Sequence, residues 1–583
     1  MKNKRLGGDI VAEMLFLESV DKVFGIIDGT YFGLYSSFKK YKIDFISPRH
    51  ETSAAHMAGA YARLSGKLGV CIASNGPGVA NIIPGLIVEE AEGNRVLCIT
   101  SFRRKGIVNP VRIGSYQYFP QSETIKQFAK ASYLITDPER IPEIIRMAFR
   151  KCYEGRPGVI HIDIPEDIIN GEYEIPFSPL KPNQYRFSIY PTSSEEAINS
   201  VLEILKKSKY PSIHMGSGII HSGAQEEIKE LIQILPIPIT YSWGARGILL
   251  EKDNVIPMTN ITLNHYIHRT SDAILVLGSR LGETDWWGKT PYWNQKNQKV
   301  IQVDIDPYVI GSSRNIEIGI ISDIKSFLKL ILSHLKSQNL SLNHKFEWKH
   351  KFNKINSLQN KYKAKLTRIG NQKTNLINSG KAIETCNRIL PENTTYVIDG
   401  GNTAVWTHFY LELKKENSII STYKFGMLGA GISQAIGASY AKNNEIVVCF
   451  TGDGAMGFHP QEIETAVRYK RKIIYIVFCD KQWGMVKLNQ SFSLKPLKTI
   501  LFKHLSPKEN INTDFEEIDF AKLAESMGAK GKRVQNIQTL EIALKECLDF
   551  PHCSVIHLDV DPIQHMWAPG LVEFKKMHLE PKE

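Results

Sequence analysis

Asp453 and Asp480 each follow an apolar, strand-like run: IVVCF leads into Gly452-Asp453-Gly454, and IIYIVF leads into Cys479-Asp480, with the helical pattern HPQEIETAVRYK between them. Two strands of a parallel sheet would deliver these carboxylates from their C-terminal ends, the edge where open α/β sheets bind ligands. Glycines on both sides of Asp453 let a ligand approach the backbone, and a helix start offers unsatisfied N–H groups to an anion. Two hard oxygen ligands plus diphosphate oxygens suit magnesium, which requires octahedral oxygen coordination and usually shares its shell with phosphates. Upstream, YVIDGGNTAVW repeats the plan, with a strand ending at Asp399 and then Gly400-Gly401-Asn402-Thr403 as hydrogen-bond donors to phosphate. Taken alone, that segment reads more readily as a turn. Between the two lies KFGMLGAGISQAIGASYA, in which Leu428 stands on a glycine-rich loop ahead of a small-residue helix.

A further carboxylate, Glu51, opens the stretch HETSAAHMAGAYARLSGKLGVCIASNGPGVAN, a helical pattern followed by a strand and the turn Gly76-Pro77-Gly78. By itself an acid at a helix start is only a favourable dipole partner.

Short β-rich runs alternating with amphipathic stretches, such as VFGII, LGVCIAS, NRVLCITS and GVIHIDI, predict an α/β protein whose parallel sheets are flanked by helices. At 583 residues the chain exceeds a single core. The pattern lapses at about 171–192 and 336–378, which read as linkers. Three units follow: 1–170, 193–335 and 379–560, with a tail, 561–583, that is either a flap or a surface strap and holds Trp567, Pro569, Phe574 and His578.

Hydrophobic residues at 43% and charged residues at 23% exclude a disordered or fibrous class. The net charge of +12 comes from lysines spread along the whole chain, without a dense basic block, so no nucleic-acid partner is expected. The eight cysteines show no metal-ligand spacing and read as reduced core residues. The basic start MKNKR is followed by acids in helical rhythm, unlike a signal peptide, and no run reaches the roughly 20 apolar residues of a membrane span. A cytoplasmic protein without a membrane partner is expected.

These motifs resemble the thiamine diphosphate-dependent enzymes related to acetolactate synthase, pyruvate oxidase and benzoylformate decarboxylase, over nearly the whole chain. The family's Gly-Asp-Gly, helix and Asn-Asn motif appears here with Asp480 in place of the second Asn, which keeps an oxygen ligand. The resemblance implies that Asp453, Asp480 and the Gln482 carbonyl hold Mg2+, while Gly401, Asn402, Thr403, Gly454 and Ala455 hold the diphosphate. It also implies that Leu428 is an apolar wedge between the cofactor's rings and that the backbone of Gly426 and Leu428 bonds the aminopyrimidine. Glu51 becomes the catalytic glutamate, sharing a proton with the pyrimidine N1′, with burial near Met57 expected to raise its pKa. Such sites form between subunits, so a homodimer or homotetramer is implied.

Family decarboxylases that release free aldehyde carry an Asp and a His-His pair; the corresponding stretches here, Ile27-Asp28-Gly29-Thr30 and Ile107–Arg112, hold no histidine. Gly484-Met485-Val486 is similar to acetolactate synthase, which implies carboligation of 2-oxo acids. Asn489 departs from that enzyme's acceptor-selecting tryptophan, the loop Gln490–Asp514 is longer, and the family's Phe-Gln near the thiazolium is read here as Tyr118-Phe119. GSRLGETDWWGKTPYW (Gly278–Trp293) resembles oxalyl-CoA decarboxylase and 2-hydroxyacyl-CoA lyase as much as flavin-binding acetolactate synthases. Arg280 with Arg246 reads either as a pair for the phosphates of an adenine nucleotide, FAD included, or equally as two solvated arginines. The leading expectation is a carboligase acting on a 2-oxo acid. An acyl-CoA lyase or decarboxylase is the alternative, and a non-catalytic cofactor-binding paralogue stands behind both.

Overall fold

The computed structural model describes residues 4–108, 110–175, 180–187, 189–252, 254–337, 346–443, 445–571 and 573. Its apolar runs become strands buried on both faces, as an all-parallel sheet covered by helices requires. In the N-terminal sheet the strands lie side by side as Asp44–Ile46, Lys22–Gly25, Gly69–Ala73, Val96–Phe102, Val159–Pro165 and Ala131–Leu134, every neighbouring pair parallel. The C-terminal sheet runs Ile419–Ser421, Thr395–Ile398, Val447–Gly452, Ile473–Cys479, Ser554–Asp559 and Lys530–Val534, again parallel throughout. Numbered along the chain, both sheets have the strand order 2-1-3-4-6-5, a duplication of plan that the sequence does not announce. The central sheet has five parallel strands: Ile239–Tyr241, Pro211–Met215, Ala273–Leu277, Lys299–Asp304 and Ile318–Ile321.

The polar stretches read as linkers carry structure. Glu172–Tyr173 pairs antiparallel with Arg5–Leu6 and closes the N-terminal unit. Within 336–378, Phe352–Gly370 is a helix of 19 residues that buries only Gly370. It lies between two units, with Tyr362 Oη 2.6 Å from Thr259 Oγ1 and the Leu366 carbonyl accepting from Tyr410 Oη at 2.7 Å. A helix spanning two bodies needs no wide apolar stripe, which is why its Lys/Asn-rich sequence looked unstructured. All eight cysteines are buried and free. Among the described residues no helix is long and apolar enough to cross a membrane.

The two six-stranded units share one core. Helix Glu51–Ser65 packs on helix Ala430–Ala441, and one apolar cluster runs from Ala54, Met57 and Ala58 through Ile432, Ala435 and Ile436 to Val447 and Cys449. The small residues that looked suited to close packing do that work. A Cβ at Gly437 would collide with the Met57 carbonyl oxygen and stand 2.8 Å from Met57 Cα. Helix propensity favours Ala over Gly by about 1 kcal/mol, whereas overpacking costs about 1–3 kcal/mol. Gly437→Ala is therefore expected to lower the midpoint of chemical denaturation; a raised midpoint would show that these helices do not touch there.

Candidate active site

Three neighbouring strands of the C-terminal sheet end side by side at Asp399, Asp453 and Asp480. Gly400, at φ +90°, turns the first strand sharply into helix Asn402–Tyr410, and a Cβ there would stand 3.0 Å from Gly452 N. Asn402 and Thr403 are buried at this helix start, and neither amide atom of Asn402 has a hydrogen-bond partner. A Cβ on Gly484 would lie 2.6 Å from Asn402 Nδ2 and 3.1 Å from Asp480 Oδ2, so the orphan amide, Asp480 and the start of helix Gly484–Leu494 converge. A Cβ at Gly401 would be 3.7 Å from Met485 Cβ. Gly454 and the buried Ala455 lie in the short helix Asp453–Met456. An unpaired buried amide costs about 1–3 kcal/mol, and the open backbone around it suits diphosphate oxygens.

Asp453 accepts from Lys481 N at 2.6 Å and from its neighbour Gly454 N at 2.7 Å. Asp480, buried, accepts from Gln482 Nε2 at 3.0 Å, and that amide also donates to the Pro562 carbonyl at 2.8 Å. Burial pushes Asp453 up to about 6, and burial together with the charge of Asp453 drives Asp480 well above the usual carboxylate range. Two adjacent carboxylates, one buried and one half-buried, favour a shared proton or a cation. Among the described residues no three His, Cys, Asp or Glu side chains gather into a metal-binding set. A magnesium ion here would therefore complete its shell with backbone and ligand oxygens, which fits the pair, the Gln482 carbonyl and a diphosphate.

The segment 481–483 is fixed in a way the motif did not suggest. Gln482 forms an isolated antiparallel bridge with Asp514, Trp483 N donates to the Thr513 carbonyl, and Phe515 N donates to the Lys481 carbonyl, both at 2.8 Å. Trp483 packs edge-on against Phe515 at 4.6 Å and stands where a Cβ on Gly454 would meet its ring at 2.7 Å. The stretch Gln490–Asp514 read as a loop is largely helical, ending helix Gly484–Leu494 and adding helix Pro496–Phe502, and residues 513–515 return to brace the candidate metal segment.

Asp399 is turned toward the loop that carries Gly426 and Leu428. Its carboxylate accepts from Gly429 N at 3.3 Å, Gly431 N at 2.9 Å and Gly400 N at 2.5 Å, while burial raises it to about 6. Leu428 is half-buried, and Gly426, at φ +67°, turns the loop with its N–H on the Thr422 carbonyl at 2.8 Å.

Glu51 stands half-buried at the start of its helix, where Asn81 Nδ2 donates to it at 3.1 Å. A Cβ on Gly78 would be 3.5 Å from Glu51 Oε1, so the Gly76-Pro77-Gly78 turn faces the carboxylate. Met57 does not provide its apolar wall: that residue belongs to the contact with Gly437. The Tyr118-Phe119 reading also shifts. Phe119 packs on the core, while Gln117, at φ +53°, lies against Gly76, its carbonyl accepting from Asn75 Nδ2 at 3.3 Å. Asp28 is committed to capping, accepting from Thr30 N at 2.8 Å and Thr30 Oγ1 at 2.6 Å. In the tail, the described residues form helix Pro562–Met566, with the His565 carbonyl accepting from Trp406 Nε1 at 2.8 Å and Trp567 Nε1 donating to the Lys503 carbonyl at 2.6 Å. Phe574 and His578 lie outside the described residues.

A cavity of about 620 Å³ opens at the C-terminal ends of Pro211–Met215 and Ala273–Leu277, the adjacent strands where the order of the central sheet reverses. Ser217, Arg280, Trp287, Asp304 and Lys424 line it. Arg246 does not join Arg280 there. It is 3% exposed, with Nε on Glu251 at 3.0 Å and its Nη atoms on the carbonyls of His408 and Leu411 at 3.0 and 2.8 Å.

Residues 5–129, 198–331 and 399–558 match, in that order, the N-terminal TPP binding domain, the central domain and the C-terminal TPP binding domain described for thiamine pyrophosphate enzymes. Similar proteins include probable acetolactate synthase large subunits of Methanococcus aeolicus, 27% identical over 95% of this chain and 92% of the relative, and of Methanocaldococcus jannaschii, 27% identical over 97% and 94%. The acetolactate synthase large subunit of Cyanidium caldarium is 28% identical over 97% of this chain and 95% of its own length. With all three family domains matched in order and full-length similarity to such relatives, the chain belongs to the thiamine diphosphate-dependent enzymes and is acetolactate synthase-like.

Proposed function

We propose that this enzyme is a carboligase that joins 2-oxo acids, with Mg2+ anchoring the cofactor and a site completed between two copies of the chain. The observation that carries the reading is the Gly484-Met485-Val486 helix start seated beside Gly401, in a chain similar end to end to acetolactate synthase large subunits. In this reading 1–170 binds the pyrimidine, 379–560 binds the diphosphate and magnesium, and 193–335 is the central domain. Thiamine diphosphate supplies a nucleophilic carbon and an electron sink. Asp453, Asp480 and the Gln482 carbonyl hold the metal; Gly401, Asn402, Thr403, Gly454 and Ala455 hold the diphosphate. Gly426 and Leu428 orient the rings, and Glu51 holds the proton shared with the pyrimidine nitrogen. Apolar side chains exposed near each half, Ile27 and Tyr116 on one side and Phe425 and Phe458 on the other, support closure by a second subunit. Asp28, occupied as a cap, is a poor proton donor to a product, which favours capture by a second substrate.

The central cavity is proposed to hold the adenine nucleotide part of a cofactor such as FAD. Arg280 faces the phosphates, while Asp304, at the end of its strand, suits a ribose diol. The same cavity favours one second reading, an acyl-CoA lyase whose substrate carries the nucleotide. Incubation of the holoenzyme with pyruvate and, separately, with a 2-hydroxyacyl-CoA decides by product: a 2-hydroxy-2-methyl-3-oxo acid supports the carboligase, and a cleaved acyl-CoA overturns it.

Glu51→Gln is expected to retain thiamine diphosphate and Mg2+ while turnover drops by about 10²–10⁴-fold; undiminished turnover would remove Glu51 from the chemistry. Because the Asp453–Asp480 pair has raised pKa values, the folded metal-free protein binds more protons than the unfolded chain. Its stability is then greatest below the ordinary carboxylate range and falls as pH rises through about 6. Asp480→Asn is expected to flatten that fall in pH-dependent denaturation of the metal-free protein and to weaken Mg2+ binding. An unchanged profile would separate the two carboxylates energetically.

A further inference from the structure

The central cavity draws cations from all three units, Arg95 and Arg156 from the N-terminal one, Arg280 from the central one and Lys424 from the C-terminal one, set among six acidic side chains that include Glu92, Asp304 and Asp306. Lys424 belongs to the loop that ends in Gly426 and Leu428. That loop is held at two places. Glu92, 9% exposed at the end of helix Pro77–Glu92, accepts from Lys424 N at 2.7 Å and Phe425 N at 3.2 Å. Asp399 holds Gly429 and Gly431. Residues 426–428 therefore hang between a clamp facing the cavity and a clamp facing the diphosphate cradle.

We propose that Lys424 is a positioning residue that couples a phosphate group bound in the central cavity to the loop presenting Gly426 and Leu428 to thiamine diphosphate. The inference rests on the nucleotide reading of the cavity and adds a regulatory consequence to it. The charges around Lys424 favour it. The charges of Arg280, Arg156 and Arg63 disfavour its ammonium and that of Glu92 favours it; its Nζ lies 3.5 Å from the Glu92 carbonyl. Arg63 is already spent on the Gly244 carbonyl and His221 Nε2. A phosphate placed among Arg280, Arg156 and Lys424 removes the mutual repulsion and draws Lys424 toward it, and the backbone that Glu92 grips moves or stiffens with it. Coupling of this kind is reciprocal: whatever factor the phosphate adds to cofactor affinity, the cofactor adds to phosphate affinity.

Proton linkage gives the coupling a signature. Desolvation against the cavity wall, with Arg280, Arg156 and Arg63, lowers Lys424 from the usual lysine range against the opposing charge of Glu92, while its side chain stays open to solvent. An anion favours the ammonium, so binding takes up a proton and weakens as pH rises. Of the other groups lining the cavity, Asp304, raised by burial to about 6, changes charge in the same direction, and Asp304→Asn separates its share. The arginines stay charged, burial keeps His221 neutral, and Tyr423 is raised to far above this range. Glu92, raised by burial, would bind anions better when protonated, and Glu92→Gln separates its share.

The test is calorimetric titration of ADP, inorganic phosphate and adenosine into the metal-free protein at pH 6.5 and 8.5, alongside thiamine diphosphate titrations in Mg2+ with and without saturating ADP. ADP is expected to tighten thiamine diphosphate by about fivefold or more, with Lys424→Met abolishing that factor and the Lys424 share of the pH slope, and Lys424→Arg restoring the factor without that share. Thiamine diphosphate affinity without ADP is expected to stay within about twofold in Lys424→Met, which shows that the loop still folds. If ADP binds and the coupling survives in Lys424→Met, the inference fails and the nucleotide reading stands. If phosphate alone binds and couples while ADP does not, the nucleotide reading fails and the coupling stands. If no anion binds, both fall.

Discussion

The structure turns on two carboxylates set side by side, Asp480 buried and Asp453 half-buried. Strands Val447–Gly452 and Ile473–Cys479 pair in register, Gly452 opposite Phe478, so the residues that follow deliver Asp453 and Asp480 to one point. Four adjacent strands of this sheet end in an aspartate, and the fold treats them differently. Asp559 meets Arg533, with Nε to Oδ2 at 2.9 Å and Nη2 to Oδ1 at 3.0 Å. Asp399 is solvated by three backbone amides. The middle pair receives two amides and a glutamine but no cationic side chain within hydrogen-bonding reach. Desolvated charge without a counter-charge is among the most costly features a core can carry. In the proposed function the pair holds the metal ion, and the orphan amide of Asn402 lies beside it.

Much of the candidate site was readable because its chemistry lies where secondary structure changes. Apolar runs of strand length ending in Gly-Asp-Gly or Asp-Gly-Gly mark a sheet edge whatever the rest of the chain does, and Asp453, Asp480, Gly401 and Asn402 all follow from that. The neighbours that tune the site were not readable. Trp483 braces Gly454 only because residues 513–515 return to pair with 481–483, a contact set by loop closure and not by local pattern. Gln117 reaches Gly76 through a left-handed backbone that no residue type demanded. Arg246 looked like a ligand-binding cation, yet it turned inward to cap the carbonyls of His408 and Leu411, because a side chain with five donors is as useful to a loop as to a phosphate.

The fold was legible as a class but not as a plan. Alternating strands and helices give parallel sheets by simple rules of connection. That the first and third sheets share the order 2-1-3-4-6-5 depends on which strands pair, and no internal repeat in the sequence marks it. Helix Phe352–Gly370 escaped for a related reason: its partners lie in two different units, so its sequence shows no single buried face.

The central cavity mirrors the carboxylate pair with the sign reversed. At one site two carboxylates meet, for which a cation is proposed; at the other Arg156, Arg280 and Lys424 share a cavity with carboxylates such as Asp304, and the proposed occupant is an anion. Self-repulsion at either place destabilises the empty protein, and a ligand that binds only the folded chain returns that energy with a logarithmic dependence on its concentration. The two places are joined by one short loop, held by Glu92 at its cavity end and by Asp399 at its cradle end. A ligand that stiffens either end lowers the ordering cost left for the other, so electrostatic incompleteness at two distant points becomes cooperativity between them.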